Sequence, residues 1–142
     1  MLFSELPTWL LSQAGHRAHN VLSARLAEAG ARGYDYRVLQ ALSENAPLSQ
    51  VAIGSIARLD RRDVAVTLAA LEEDALIERS PDPDDARRNV VEMTPAGRAR
   101  LAQLDAIVAS VQEEVLAPLD DDARGHLLAA LRLIAGGPEP TR

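Results

Sequence analysis

Residues 79–97 read "RSPDPDDARRNVVEMTPAG", with Asp82, Asp84 and Asp85 crowded between prolines and followed at once by Arg87 and Arg88. Every one of the 15 cationic residues in the chain is arginine, whose planar guanidinium forks onto phosphates and guanine edges where an ammonium group meets them only as a point charge. A carboxylate two or three residues before a guanidinium can do one of two things: neutralise it, or hold it in one pose. Two readings of this stretch therefore stand side by side, a turn that aims arginines at a polyanion and a solvated turn whose charges cancel.

Other chemistry is harder to assemble. No Gly-rich phosphate loop, nucleophile elbow or His-Glu metal helix is present. His16 and His19 fall at i and i+3, which could bring two imidazoles to one metal, but no cysteine or clear acidic partner accompanies them, and they read as exposed or subunit-packing histidines. Asp120, Asp121 and Asp122 precede an apolar stretch and read as a helix cap complementing the dipole. No catalytic residue, metal or cofactor is expected.

The 142 residues are 47% hydrophobic but only 3% aromatic, which suits one domain with an aliphatic core. The absence of cysteine excludes disulfides and thiolate sites. A net charge of -6 argues against generic attraction to nucleic acid. Locally the balance is no better, with six arginines against ten acidic residues over residues 55–92. Any contact with phosphate must come from placement. No apolar run approaches the roughly 20 residues of a membrane span. The start "MLFSELPTWLL" lacks the features of a signal peptide, so cytoplasmic residence without a membrane partner is the expectation.

The elements that would position these groups follow from period and punctuation. Leu10, Ala14, Ala18, Val21, Leu22 and Leu26 repeat at helical spacing in a first helix from Ser4 to about Gly30, with Pro7 in its first turn. A short helix follows, with Asp35 as candidate cap and Val38, Leu39 and Leu42 on one face, stopping before Pro47. Next come "LSQVAIGSIARL", capped by Ser49, and "DRRDVAVTLAALEEDA", capped by Asp60 with Asp63 in the capping-box place. Ile53, Ile56, Leu59, Val64, Leu68 and Leu71 would pack equally well in a plain helical hairpin and in a helix-turn-helix. The runs "LIERS" and "RNVVEMT" around "PDPDDA" read as a two-stranded hairpin, which a plain bundle has no use for. Thr94 and Pro95 open a long helix whose Leu101, Leu104, Val108, Val111 and Val115 form an a/d seam. A last helix carries Leu127, Leu131 and Ile134 until Gly136 and Gly137.

From "LSQ" to "TPAG" the chain resembles the winged-helix core of MarR-family transcriptional regulators, and its flanking helices sit where that family keeps its dimerisation domain. The most specific piece is the family wing signature, matched by Asp85, Arg87, Met93, Thr94 and Gly97, with Met93 in place of leucine. The resemblance implies an all-α fold with a small β-hairpin wing. A helical dimerisation domain would be built from residues 1–34 and 95–137, a winged helix-turn-helix domain from 35–94, and residues 138–142 would form a disordered tail. It implies a homodimer on a pseudo-palindromic operator in double-stranded DNA, most simply a repressor, with no enzymatic activity.

Residue by residue, Ser49 and Gln50 would offer a helix N-terminus to phosphate. Arg61, Arg62, Asp63 and Thr67 would lie on the recognition helix in the major groove. Arg87 and Arg88 would serve the wing, with Asp85 bracing Arg87. A small, often aromatic, anionic effector would bind near Trp9, His16, His19, Tyr36 and Arg37. Two departures stand out. Ala57 and Arg58 replace the family's usual leucine and glycine, so Arg58 takes positive φ or the turn changes shape. Val66 stands where many members carry a basic residue. The alternative expectation is a dimer of the same fold that has lost operator binding and contacts other proteins.

Overall fold

The computed structural model describes residues 1–136; the expected disordered tail, 138–142, and Gly137 lie outside them. A 3-10 turn, Phe3–Glu5, leads into α1, Pro7–Glu28, whose proline sits in the first turn, where no backbone N–H is needed. Helix α2 spans Asp35–Asn45. Asp35 is not its cap, as expected from sequence, but the first helical residue: its buried carboxylate accepts from the Arg32 backbone N–H at 3.0 Å and from the Arg32 guanidinium. It staples the preceding turn rather than the helix end.

The next helices obey their caps. Ser49 accepts from Ala52 N at the start of α3, Gln50–Ala57, and Asp60 accepts from Asp63 N at the start of α4, Arg61–Glu73. Between them Arg58 stands in the left-handed region at φ 54° and ψ 51°, so the turn keeps its shape without glycine. Arg37 of α2 spans this turn, donating to the carbonyls of Ala57 and Arg58. A left-handed non-glycine residue carries strain of about 1–2 kcal/mol. Arg58→Gly is therefore expected to stabilise the fold by about 0.5–1 kcal/mol after glycine's entropic cost. Urea unfolding would show it as a raised midpoint at constant slope, and an unmoved midpoint would mean that the strain in this turn does not exceed glycine's entropic cost.

Strand β2, Ile77–Pro81, and strand β3, Asn89–Met93, form the expected hairpin in the register Ile77↔Met93 to Pro81↔Asn89. The sheet has a third member that the sequence did not announce: β1, Leu48–Ser49, pairs antiparallel with β3 and gives the order β1-β3-β2. Ser49 thus belongs to a strand and caps a helix at once, tying the wing root to the entry of α3.

Helix α5, Pro95–Leu116, starts at Thr94, whose hydroxyl accepts from Gly97 N at 3.1 Å. Its apolar seam is used inside the chain. Leu101 and Leu104 are buried in the same cluster as Leu26 of α1, Leu39 and Leu42 of α2, Ile53, Leu68 and Val91. Ion pairing of Arg25 with Glu114 at 3.1 Å, and an Arg100 bond to the Ala29 carbonyl at 2.7 Å, fasten α5 to the α1 end of the chain. Helix α6, Asp121–Ile134, is capped by Asp120 but buries none of its residues. Its Leu128, Leu131, Leu133 and Ile134 are exposed, as are Phe3, Trp9, Leu10 and Leu11 at the other end of the chain, and Ile56 of α3 is exposed as well. No helix of the described residues is long and apolar enough to cross a membrane.

Candidate nucleic-acid interface

The wing tip is a built turn, and its aspartates build it. Asp82 N–H donates to the Arg88 carbonyl at 2.8 Å, closing the hairpin, while the Asp82 carboxylate accepts from Asp84 N at 2.9 Å. Asp85 accepts from the Arg87 backbone N–H at 3.1 Å and takes the Arg87 guanidinium in a two-pronged pair at 3.1 and 3.3 Å. The Arg87 side chain nevertheless remains 90% exposed. It is held in one direction and left free to bind. Arg88 lies farther from its carboxylates, 3.7 Å from Asp82 and 3.6 Å from Asp85. The Arg87 guanidinium first, then the Arg87 backbone N–H, hold the Asp85 carboxyl below its ordinary pKa, helped by the nearby Arg88. A depressed carboxyl pKa means that the brace stands at neutral pH and is lost only as pH falls through that lowered value.

Helices α3 and α4 and the wing enclose an open groove of about 1010 Å³. Ser49, Gln50, Arg61, Arg87 and Arg88, five residues singled out from sequence, line it together. Arg79 and Asn89 join them from the two wing strands. Among the described residues four arginines line this groove, and no acidic residue does. Asp82 and Asp84 line instead a second, smaller cavity of about 320 Å³, which shares Ser49 and Arg88 with the groove. The aspartates of this segment thus cap and turn the chain, while four of its six arginines line the groove.

Arg79 is the residue that sequence reasoning missed. Its Nε is buried, 3.3 Å from a Glu72 carboxylate oxygen, close enough for an ion pair but not aligned as a hydrogen bond. The signal was available in the period of β2, because Arg79 shares a strand face with the buried Ile77 and pairs with Val91.

On α4, Arg62 is exposed outside the groove lining, Asp63 is half-buried, and Thr67 is only 7% exposed, turned into the core. The Ser49 hydroxyl is occupied by its capping bond. Trp9, His16, His19, Tyr36 and Arg37 do not converge on either cavity. Trp9 stacks on Phe3 at 4.5 Å between ring centroids, and His19 lies 3.4 Å from Ser23 Oγ. The Tyr36 hydroxyl donates to Asp105 of α5 at 2.7 Å, and burial, then that carboxylate, raises its pKa. Arg37 is engaged by the α3–α4 turn and lies 5.6 Å above the Tyr34 ring.

Residues 31–88 match the model of the MarR family. A protein of Thauera aromatica assigned as a transcriptional regulatory protein for the hcr operon is 35% identical over 97 residues, 68% of this chain and 58% of its own length. The transcriptional regulator HosA of Escherichia coli O111:H- is 32% identical over 97 residues, 68% of this chain and 72% of its own length. Among solved structures, the repressor CouR on a 23-mer DNA duplex superposes with a TM-score of 0.83 at 29% identity, covering 93% of this chain and 94% of that one. CouR of Rhodococcus jostii RHA1 bound to p-coumaroyl-CoA gives a TM-score of 0.79 at 25% identity, covering 100% of this chain and 98% of that one.

Proposed function

The chain belongs to the MarR family, and on that premise we propose that it is a dimeric transcriptional repressor that binds a pseudo-palindromic operator in double-stranded DNA. The observation that carries this reading is the carboxylate-free groove lined by Arg61, Arg79, Arg87 and Arg88 between a capped helix pair and a braced wing. In that geometry α4 lies in the major groove, the N-terminus of α3 meets phosphate with Ser49 and Gln50, and the wing reaches the adjacent minor groove. Phosphate contacts fix the register, and the few side chains of α4 and the wing tip supply discrimination. An electrophoretic mobility shift with the protein's own promoter region, challenged with unrelated duplex, tests the reading. A retarded band that survives the competitor is the expected result. Equal displacement by any duplex would leave a dimer without an operator.

Dimerisation follows from the uncovered apolar surface. Phe3, Trp9, Leu10 and Leu11 at one end of the chain and Leu128, Leu131, Leu133 and Ile134 at the other leave apolar surface exposed. We assign them to the subunit interface, with residues 1–34 and 95–137 as the dimerisation domain and 35–94 as the DNA-binding domain. Light scattering at micromolar concentration should give twice 15.3 kDa. A monomer would remove both the interface and the palindromic operator.

The likeness to CouR, solved bound to p-coumaroyl-CoA, supports a ligand with an aromatic group. For this chain we propose an aromatic carboxylate that binds beside α1, near Trp9, His16 and His19, since Tyr36 and Arg37 already hold α5 and the α3–α4 turn. Such a compound is expected to quench Trp9 emission and release operator DNA. A broad panel that changes neither signal would sink the effector and leave a constitutive regulator.

A further inference from the structure

We propose that the middle of α4 reads thymine, with the Val66 side chain packed against the C5-methyl group of a thymine in the major groove. The inference rests on the reading above, in which α4 enters that groove. Because α4 buries Val64, Thr67, Leu68 and Leu71, helical geometry places Arg62, Val66, Ala69 and Glu73 in a line on the opposite side. Val66 is 63% exposed on that line. Arg62, at the N-terminal end, is the one group on that line able to donate to a base edge, and Glu73 lies at the far end of the helix.

The single hydroxyl in the middle of α4, Thr67, faces the core and is out of reach of DNA. Between Arg62 and Glu73 the outer face offers only Val66 and Ala69, which cannot tell base edges apart by hydrogen bonds. Adenine, guanine and cytosine present only donors and acceptors in the major groove, whereas thymine adds a methyl group. Thymine is therefore the base that this surface can select by burying apolar area against apolar area. Arg62 on the same line and Arg61 beside it in the groove put positive charge next to this apolar spot. That combination fits a duplex better than it fits an apolar protein surface.

The test begins by selecting a binding site from random duplexes with the purified full-length protein. Each thymine of the selected site is then replaced in turn by deoxyuridine, which removes the C5-methyl and nothing else. For the parent protein, deoxyuridine at one position of each half-site should weaken binding about fourfold per half-site, the factor expected for one buried methyl group. The exposed position makes Val66→Ala a variant that folds. It should bind the thymine duplex less tightly and lose the distinction between thymine and deoxyuridine at that one position, while keeping sensitivity elsewhere. If no replacement in an enriched site changes affinity, or if Val66→Ala keeps the full thymine preference, the inference is overturned while operator binding stands. A pool that never enriches overturns both.

Discussion

Arg87→Ala is expected to cost about 1–3 kcal/mol of operator affinity, the range for a specific arginine contact, while leaving the urea midpoint of the free protein unmoved. The guanidinium is 90% exposed, so nothing in the core depends on it. It is also tied at two points to Asp85, so its rotamer entropy is largely spent before DNA arrives. Asp85→Ala makes the sign of the mechanism visible. On charge alone, removing a carboxylate near phosphate should tighten binding; with the brace in place, it should weaken specific binding, because Arg87 loses its pose and the Asp85 bond to the Arg87 backbone N–H is lost as well. We expect the weakening. Arg88, held less closely, should behave as a phosphate contact, and Arg88→Ala should weaken specific and random duplex alike and lower the salt slope by roughly one unit. Fluorescence titration at matched salt decides the matter: an Arg87→Ala protein that binds the operator as tightly as its parent would mean that the paired arginines only neutralise the aspartates beside them.

The second large effect lies in the same signature but belongs to folding. A Cβ added at Gly97 would sit 2.0 Å from the Leu76 carbonyl oxygen and 3.0 Å from its carbon, both backbone atoms that cannot swing aside. The same carbonyl accepts from Thr94 N at 3.0 Å, and the Thr94 hydroxyl donates to the Ala75 carbonyl at 2.7 Å while capping α5. The start of α5 is thus pressed onto the α4–β2 connection. Gly97→Ala must lever α5 away and draw Leu101 and Leu104 out of the core, a cost at or above the upper end of overpacking, about 3 kcal/mol. That is a large fraction of a typical domain's stability. Urea unfolding of Gly97→Ala beside Gly15→Ala, a position with open space around it, provides the control. A Gly97→Ala midpoint close to the parent's would mean that the α5 start is free to shift.

These two residues show how a motif can be legible before its reasons are. Asp85 as brace, Arg87 as probe and Thr94 as helix start were expected before folding, whereas the close approach at Gly97 showed only once the chain around it was folded. Met93, which departs from the pattern's leucine, is 8% exposed in the shared core and keeps the volume that the position needs.

By itself the sequence determined what is decided within one turn of chain. The starts of α3, α4, α5 and α6 followed from Ser49, Asp60, Thr94 and Asp120, since a side-chain oxygen reaches the N–H groups two or three residues on wherever the rest of the protein lies. The wing strands followed from β-rich runs around a proline-aspartate turn. What only the tertiary structure decided depends on residues far apart in the chain. Strand β1 is two residues long and exists because β3 is there to pair with it. The α5 seam faces α1 and α2 of its own chain, although its period suits a partner helix equally well. The charge of the wing follows the same rule, because counting gives six arginines against ten carboxylates, and no count of charges carries direction. Folding sets Asp82 and Asp84 along a second cavity and gathers Arg61, Arg79, Arg87 and Arg88 along one groove. Attraction falls with distance and with intervening water, so the place of each charge, and not the net charge, sets what the surface can bind.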